Sequence, residues 1–400
     1  MRIAMVSEHA SPLAALGSPD AGGQNVHVAA LATAVAALGH EVTVYTRRDD
    51  PRTPQRVPFA PGVTVAHVPA GPPAPIPKDD ILPWVPRFAE WLREQWTFDR
   101  PDVAHSHFWM SGLATLDAAR RLGIPFAHTY HALGTVKRRH QGAVDTSPAG
   151  RIAAETAIGH RADVIVSTCP DEVDELVRMG IARHRTQVVP CGVDLDRFHP
   201  GVPPAERPDR PRLLSIGRLV PRKGVDTIIA ALPYLPGVEL VVGGGLPLAD
   251  LHRDEEATRL RATADRLGVA DRVIFTGQVA RDDVPGLMRS ATAVVCVPWY
   301  EPFGMVVLEA MACGVPVIAS AVGGQQDTVV DGVTGLLVAP RRPESLAEAV
   351  GRLLDDPARS AAYGIAGADR ASARYSWDRV ARETVAAYRQ AMRRRERTAS

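Results

Sequence analysis

Lysine is nearly absent. Three of the 46 basic residues are Lys (Lys78, Lys137 and Lys223) and the rest are Arg. Lysine retained against such a bias marks places where a compact ammonium differs from a planar guanidinium, as at phosphate sites. Cysteine is scarce as well: Cys169, Cys191, Cys296 and Cys313 are scattered, with no CxxC pair. That argues against a disulfide framework and against a cysteine zinc site. No run of eighteen apolar residues exists, which excludes a membrane-spanning helix. A dominant charge is missing too: the net charge is +1, so nothing global favours nucleic acid or an anionic membrane. The opening MRIAMVSEHASP lacks the long apolar core of a signal peptide and reads as a strand, so a cytoplasmic protein is expected.

What is present is enough apolar residue, 46% of 400 positions, for two packed cores. Short apolar runs alternate with amphipathic ones. RIAMVS precedes a helical pattern in which Val28, Leu31, Ala32, Val35 and Leu38 share a face; HEVTVYTR, DVAHSHF, PFAHTYH, VIVSTC and TQVVPCG continue the strand series. The rhythm restarts with PRLLSIGR, VELVVGGG, RVIFTGQ, AVVCVPW, PVIAS and GLLVAP. Alternation of this kind predicts two parallel sheets covered by helices. The expected domains are 1–200 and 201–376, with the joint in the Pro-rich stretch from Asp194 to Pro211 and a last helix over 377–395. Pro51 to Pro86 is proline-rich and is expected to hold an extended loop, with Lys78 on it.

Four segments carry candidate chemistry. Asp20-Ala21-Gly22-Gly23-Gln24-Asn25 follows the first strand and opens a helix, where glycine lets a backbone approach a ligand and the helix N-terminus favours anions. It is not GxGxxG, so no dinucleotide fingerprint is present. Ser215 to Gly224 follows the first strand of the second half, and its Arg218 and Lys223 are placed to reach one diphosphate. Glu301-Pro302-Phe303-Gly304-Met305-Val306-Val307-Leu308-Glu309 puts two carboxylates around an expected helix start at Phe303 to Val306. Glu309 in such apolar company requires a partner, and a ribose diol suits it. Finally His128 to Gly134 ends a strand, with His131 the leading histidine and His105 and His107 weaker cases. The run Lys137-Arg138-Arg139-His140 fits either a solvated face or an anion site.

Taken together, EPFGMVVLE, the following ACGVPVIAS and Gly323-Gly324, GRLVPRKG and DAGGQNVHV resemble the GT-B glycosyltransferases of family four, and the resemblance spans nearly the whole chain. That group includes sucrose-phosphate synthases, mannosyltransferases and the inositol-phosphate enzymes of mycothiol synthesis. The resemblance implies an α/β fold with two Rossmann-like, doubly wound domains facing across a cleft. It also implies a retaining transfer that needs no metal or other cofactor. Arg218 and Lys223 would neutralise the donor diphosphate, helped by the amides of Gly23, Phe303, Gly304, Met305 and Val306. Glu309 would hold the ribose, Glu301 the hydroxyls of the transferred sugar, a backbone contact near Val279 the base, and His131 would stand beside the reacting sugar. The implied partners are a nucleotide-sugar donor (UDP expected, GDP next) and a small polar acceptor, with no nucleic acid, no membrane span, and a homodimer left open.

Asn25, Lys78, Lys137 and Arg151 stand in the segments implied to bind the acceptor. Phe108 stands where those inositol-phosphate enzymes have a tyrosine, and Ala132 where they have a threonine. Two hydroxyls lost from a phosphate pocket cost on the order of 1 kcal/mol or more each, so a rebuilt pocket and a different polar acceptor are expected. The one DxD triplet, Asp194-Leu195-Asp196, reads as linker. A phosphorylase, a nucleotide-sugar epimerase and a non-catalytic binding relic share the architecture and remain as alternatives.

Overall fold

The structure, a computed structural model, describes residues 1–14, 22–206 and 209–399, without the side chains of 398 and 399. It divides into two units: Met1–Gly192 with Trp377–Ser400, and Val193–Ser376. The division falls after Gly192 rather than at the expected residue 200. The cause is local: Val193 bridges Ser376 and donates its amide to the Tyr375 carbonyl, which ties the whole Asp194 turn to the second unit. Within that turn Asp194 Oδ1 accepts the amides of Asp196 and Arg197, which accounts for the DxD triplet as turn chemistry.

The first unit holds an eight-stranded sheet. Its strands are β1 (Arg2–Val6), β2 (Glu41–Arg47), β3 (Arg56–Ala60), β4 (Val63–Val68), β5 (Val103–His107), β6 (Phe126–Thr129), β7 (Val164–Ser167) and β8 (Thr186–Val188), in the order β3-β4-β2-β1-β5-β6-β7-β8. All pairs are parallel except β3–β4. β1 is buried along nearly its whole length because helices cover both faces. One face packs Phe88, Leu92 and Trp96. The other packs Val28, Leu31 and Val35 of the helix Gly23–Ala37 against Val380, Val385 and Tyr388 of the helix Trp377–Ala399.

The hairpin β3–β4 departs from the loop expected across Pro51 to Pro86. Val63 and Val65 alternate into the core and extend the sheet, while Pro58 is tolerated because β3 is an edge strand with one side unpaired. The proline-rich part beyond Val68 does lack long elements, and Lys78 lies there in the 3-10 turn Lys78–Asp80.

The second unit has six parallel strands: β9 (Arg212–Ile216), β10 (Glu239–Gly243), β11 (Val273–Gly277), β12 (Ala293–Cys296), β13 (Val317–Ser320) and β14 (Leu336–Val338), ordered β11-β10-β9-β12-β13-β14. In each sheet the strand order reverses beside its first strand, between β1 and β5 and between β9 and β12. Open α/β sheets bind ligands at the carboxyl ends of strands around such reversals. Among the described residues no helix is long and apolar enough to cross a membrane.

One buried acid gives the first unit a pH-dependent stability. Glu172 Oε2 accepts the amide and hydroxyl of Thr168, while Oε1 is sealed with no partner among the described residues. Burial pushes its pKa from 4.5 up to about 7, against the pull of the Thr168 bonds. The folded state therefore keeps a proton that the unfolded chain releases, so stability falls as pH rises from 4.5 through 7. Glu172→Gln is expected to remove that slope, on the order of 3 kcal/mol. Denaturant midpoints of both proteins at pH 5 and pH 8 check it: equal slopes would refute the assignment.

Candidate active site

In the second unit, the loop after β9 delivers the cations. Pro221–Lys223 forms a 3-10 turn, and Gly224 (φ +72°) starts the helix Val225–Ala231. A Cβ on Gly224 would come within 2.1 Å of the Val297 carbonyl oxygen, so only glycine lets this loop press against the end of β12. Trp299 adds a backbone bond to the Arg222 carbonyl. The result is that Lys223 Nζ lies 2.5 Å and Arg222 Nη1 3.8 Å from Glu301 Oε2. Burial pushes the Glu301 carboxyl up, but Lys223, Arg222 and Arg218 together outweigh it and hold it below the usual range. Arg218 itself is exposed on the same loop. The pair Gly323-Gly324 lies against this acid: a Cβ on Gly323 would meet the Glu301 carbonyl at 2.0 Å.

The helix beyond Glu301 starts later than expected. It spans Met305–Ala312 with Gly304 (φ +94°) as its N-cap. Met305 and Val306 form its first turn and present amides suited to an anion. Phe303 lies ahead of the helix, buried against Tyr375. Glu309 is buried one turn inside, and its partner comes from the chain itself: Arg281 Nη2 donates to Oε1 at 2.6 Å. Burial still leaves the Glu309 carboxyl above its usual range, with Arg281 pulling the other way. Val279 follows β11, half-buried, with its side chain beside Gly243 at the end of β10.

In the first unit, Gly23 is the first residue of its helix and Gly22 the N-cap. Asn25 serves this junction: its Oδ1 accepts the Gly22 amide and its Nδ2 donates to the Ser11 carbonyl, both at 3.0 Å. Asp20 and Ala21 lie outside the described residues.

Five of the acceptor candidates form one connected group. The Phe108 ring lies between Lys78 Nζ at 5.3 Å and the Arg151 guanidinium at 5.1 Å. Arg151 donates to Glu155, to Ser147 Oγ and to the Ala132 carbonyl. Lys137 reaches the same Ser147 hydroxyl and pairs with Asp145, both at 3.0 Å. Lys78, Phe108, Ala132, Lys137 and Arg151 are thus brought together, whereas Asn25 makes no contact with them among those described. Of the KRRH run, Arg139 is tied up in a bidentate pair with Glu175.

His131 follows β6 in a left-handed conformation (φ +60°), and His107 Nδ1 lies 2.9 Å from its Nε2. His27 approaches both rings, with centroids 5.0 Å from His131 and 5.7 Å from His107. Burial holds all three pKa values low, to about 4 for His27, so the rings are neutral at physiological pH. Each offers a ring nitrogen, and these atoms lie within 4.8 Å of one another, the one such group among the described residues that suits a metal ion.

Sequence reading missed several neighbours. Glu8 is buried, bonded to Ser111 Oγ and to His9 Nδ1, and the His9 ring stands edge-on to Phe108 at 4.9 Å. Glu155, Arg222 and Arg281 were missed as well. A carboxylate next to a histidine at a strand end was the one available signal, in Glu8-His9; the others are set by tertiary contact.

Comparison with known proteins agrees along the whole length. A family model described as Glycosyltransferase Family 4 matches residues 21–197, and one described as Glycosyl transferases group 1 matches residues 202–370. A D-inositol 3-phosphate glycosyltransferase of Xylanimonas cellulosilytica is 39% identical, covering 98% of each chain. The protein of that name from Frankia alni is 38% identical over 96% of this chain and 98% of its own. Among solved structures, a sucrose-phosphate synthase from Thermosynechococcus elongatus superposes with a TM-score of 0.87 at 33% identity, covering 97% of this chain and 98% of its own. Anabaena HepE in complex with UDP and glucose shares the fold, with a TM-score of 0.72 at 20% identity over 96% of this chain and 98% of its own.

Proposed function

Because the chain belongs to the family 4 glycosyltransferases of GT-B type, we propose that it is a retaining transferase. It moves a sugar from a nucleoside diphosphate, UDP first and GDP second, onto a small polar acceptor without a metal ion. The observation that carries this reading is the gathering of Arg222 and Lys223, with Arg218 on the same loop, around Glu301 just ahead of the helix Met305–Ala312. Two or three cations and a helix N-terminus are what a departing diphosphate needs when no divalent ion shares its charge.

In this reading Lys223 and Arg218 bind the diphosphate, the amides of Met305 and Val306 bind its oxygens, and the Gly23 amide assists. Glu301 takes hydroxyls of the transferred sugar. The second oxygen of Glu309 takes the ribose, with Arg281 fixing the first, and the backbone near Val279 reads the base. The bond from the anomeric carbon to the phosphate oxygen breaks as the acceptor oxygen bonds to that carbon on the same face. The acceptor's proton passes to the leaving phosphate, which departs as the nucleoside diphosphate.

The acceptor lies on Phe108, Lys78, Ala132 and Arg151. Arg151 is already neutralised by Glu155 and Lys137 by Asp145, and Phe108 brings a ring where a hydroxyl would serve a phosphate. These features favour a polar acceptor other than inositol 3-phosphate. The identity to proteins named for that substrate supports it as the second reading.

A thermal-shift panel with UDP, GDP, ADP and dTDP, with and without EDTA, tests the donor side. One nucleotide is expected to raise the melting temperature, unchanged by EDTA and lost in Glu309→Ala. Loss of the shift on chelation would overturn the metal-free reading and direct attention to His27, His107 and His131. Full transfer to inositol 3-phosphate would install the second reading of the acceptor.

A further inference from the structure

Buried histidines surround His131, and their hydrogen bonds fix which nitrogen of each ring carries the proton. His105 supplies the starting point. Thr129 Oγ1 gives its only hydrogen to the Val166 carbonyl at 3.0 Å. Toward His105 Nε2, 2.9 Å away, the same hydroxyl is therefore an acceptor, so His105 Nε2 carries a proton. His105 Nδ1 is then the lone pair that accepts the Tyr388 hydroxyl at 2.8 Å.

His107 lies against His105, with ring centroids 4.2 Å apart. Its Nε2 is sealed from solvent and has no partner among the described residues. Its Nδ1 meets His131 Nε2 at 2.9 Å. One of those two nitrogens must donate. A proton on His107 Nε2 would leave a buried N–H with nothing to bond, the rarer and costlier kind of orphan. The proton therefore sits on His107 Nδ1 and is donated to His131 Nε2. Since both rings are neutral, the single proton of His131 is on Nδ1.

We infer that His107 is a positioning residue for His131: it locks the Nδ1–H tautomer and aims that ring as a fixed hydrogen-bond donor toward an oxygen of the transferred sugar. The inference rests on the reading that places His131 beside the donor sugar. The backbone agrees with a held ring. Phe108 (φ +78°) and His131 (φ +60°) are non-glycine residues in left-handed conformations just beyond the ends of the adjacent strands β5 and β6. Strain of this kind persists where surrounding contacts over-determine a functional residue. A neutral imidazole whose acceptor nitrogen is occupied cannot serve as a general base, so His131 orients and stabilises the sugar and leaves the acceptor's proton to the leaving phosphate.

Nitrogen NMR of histidine-labelled protein without ligand reads the tautomer directly. His131 is expected to show a protonated Nδ1 and an unprotonated Nε2; the reverse pattern overturns the proposal whatever the variants do. For function, acceptor-free hydrolysis of UDP-glucose, or of the GDP-sugar if the nucleotide panel selects GDP, is measured in His107→Leu, His107→Asn and His131→Ala. Loss of the lock in His107→Leu is expected to lower kcat by about 100-fold, the scale set by small misplacements of a reacting group, while the thermal shift with the nucleotide stays unchanged. His107→Asn puts an amide donor close to the position of Nδ1 and is expected to recover most of the rate. It also keeps the test alive if the leucine variant fails to fold. Wild-type rates in His107→Leu beside a crippled His131→Ala would sink the role of His107 alone. Wild-type rates in His131→Ala would sink the underlying reading of the sugar site.

Discussion

Replacing Lys223 with alanine is expected to lower kcat/KM for the nucleotide sugar by about two to three orders of magnitude, the range found when one fixed charge-stabilising donor is removed. The ammonium is 2.5 Å from Glu301 and 26% exposed, so it is held in place without being lost from solvent. A diphosphate arriving there meets a cation already oriented. Without Lys223, Glu301 keeps Arg222 at 3.8 Å, but that longer contact leaves the carboxylate freer and closer to its ordinary pKa. Lys223→Arg is expected to recover only part of the rate, because a planar fork cannot occupy the point position of an ammonium. Steady-state kinetics with the cognate donor give the answer. An alanine variant with a donor kcat/KM within threefold of wild type would remove Lys223 from the diphosphate site.

Arg151→Ala is expected to destabilise the first unit by about 3–5 kcal/mol at neutral pH, the usual consequence of stripping one partner from a buried ion pair. Its guanidinium donates to Glu155 Oε1 at 2.8 Å, and side-chain exposure is 5% for Arg151 and 0% for Glu155. After the substitution Glu155 keeps the Gly134 amide as its main support. Burial already raises the Glu155 pKa above 4.5 despite Arg151 and Gly134 pulling it down, and removing Arg151 raises it further. A group whose folded pKa is raised stabilises fully below its unfolded value and loses that contribution as pH climbs through the folded one. The deficit of the variant should therefore be small near pH 4.5 and largest above pH 7. Because two units can unfold separately, the measurement is the first unit's transition in guanidinium at both pH values. A pH-independent deficit would contradict the assignment.

The central parallel strands were legible in the sequence because they are buried on both faces and so read as uninterrupted apolar runs, as in RIAMV and VIVS. β3 was not, because an edge strand can carry Pro58 and shows little apolar pattern. The donor loop was legible through glycine: Gly224, Gly323 and Gly324 leave no room for a Cβ, and such positions write themselves into the sequence. Partner choice was not. Glu309 needed a partner on grounds of burial alone, but Arg281 stands 28 positions away on a loop with no motif. The same holds for Arg151, an acceptor candidate whose ion partner Glu155, one turn along its helix, was not picked out. Asn25 read as an acceptor contact, and the structure shows its amide closing the loop ahead of its own helix.

The helix Trp377–Ala399 follows the whole of the second unit along the chain, yet it belongs to the first. Until it emerges, Val28, Leu31 and Val35 lack the Val380, Val385 and Tyr388 side of their core, and His105 lacks the hydroxyl of Tyr388, 283 positions downstream. The second unit is one continuous segment, Val193–Ser376, and has all its strands in hand before that helix is translated. Domains ordinarily complete in the order of their synthesis; here the order of completion is reversed. A premature stop after Ser376 leaves the second unit whole and strikes the first, uncovering an apolar face and unpinning the histidine array more than two hundred residues upstream. The histidines can reach their final arrangement only after the whole second unit has been translated.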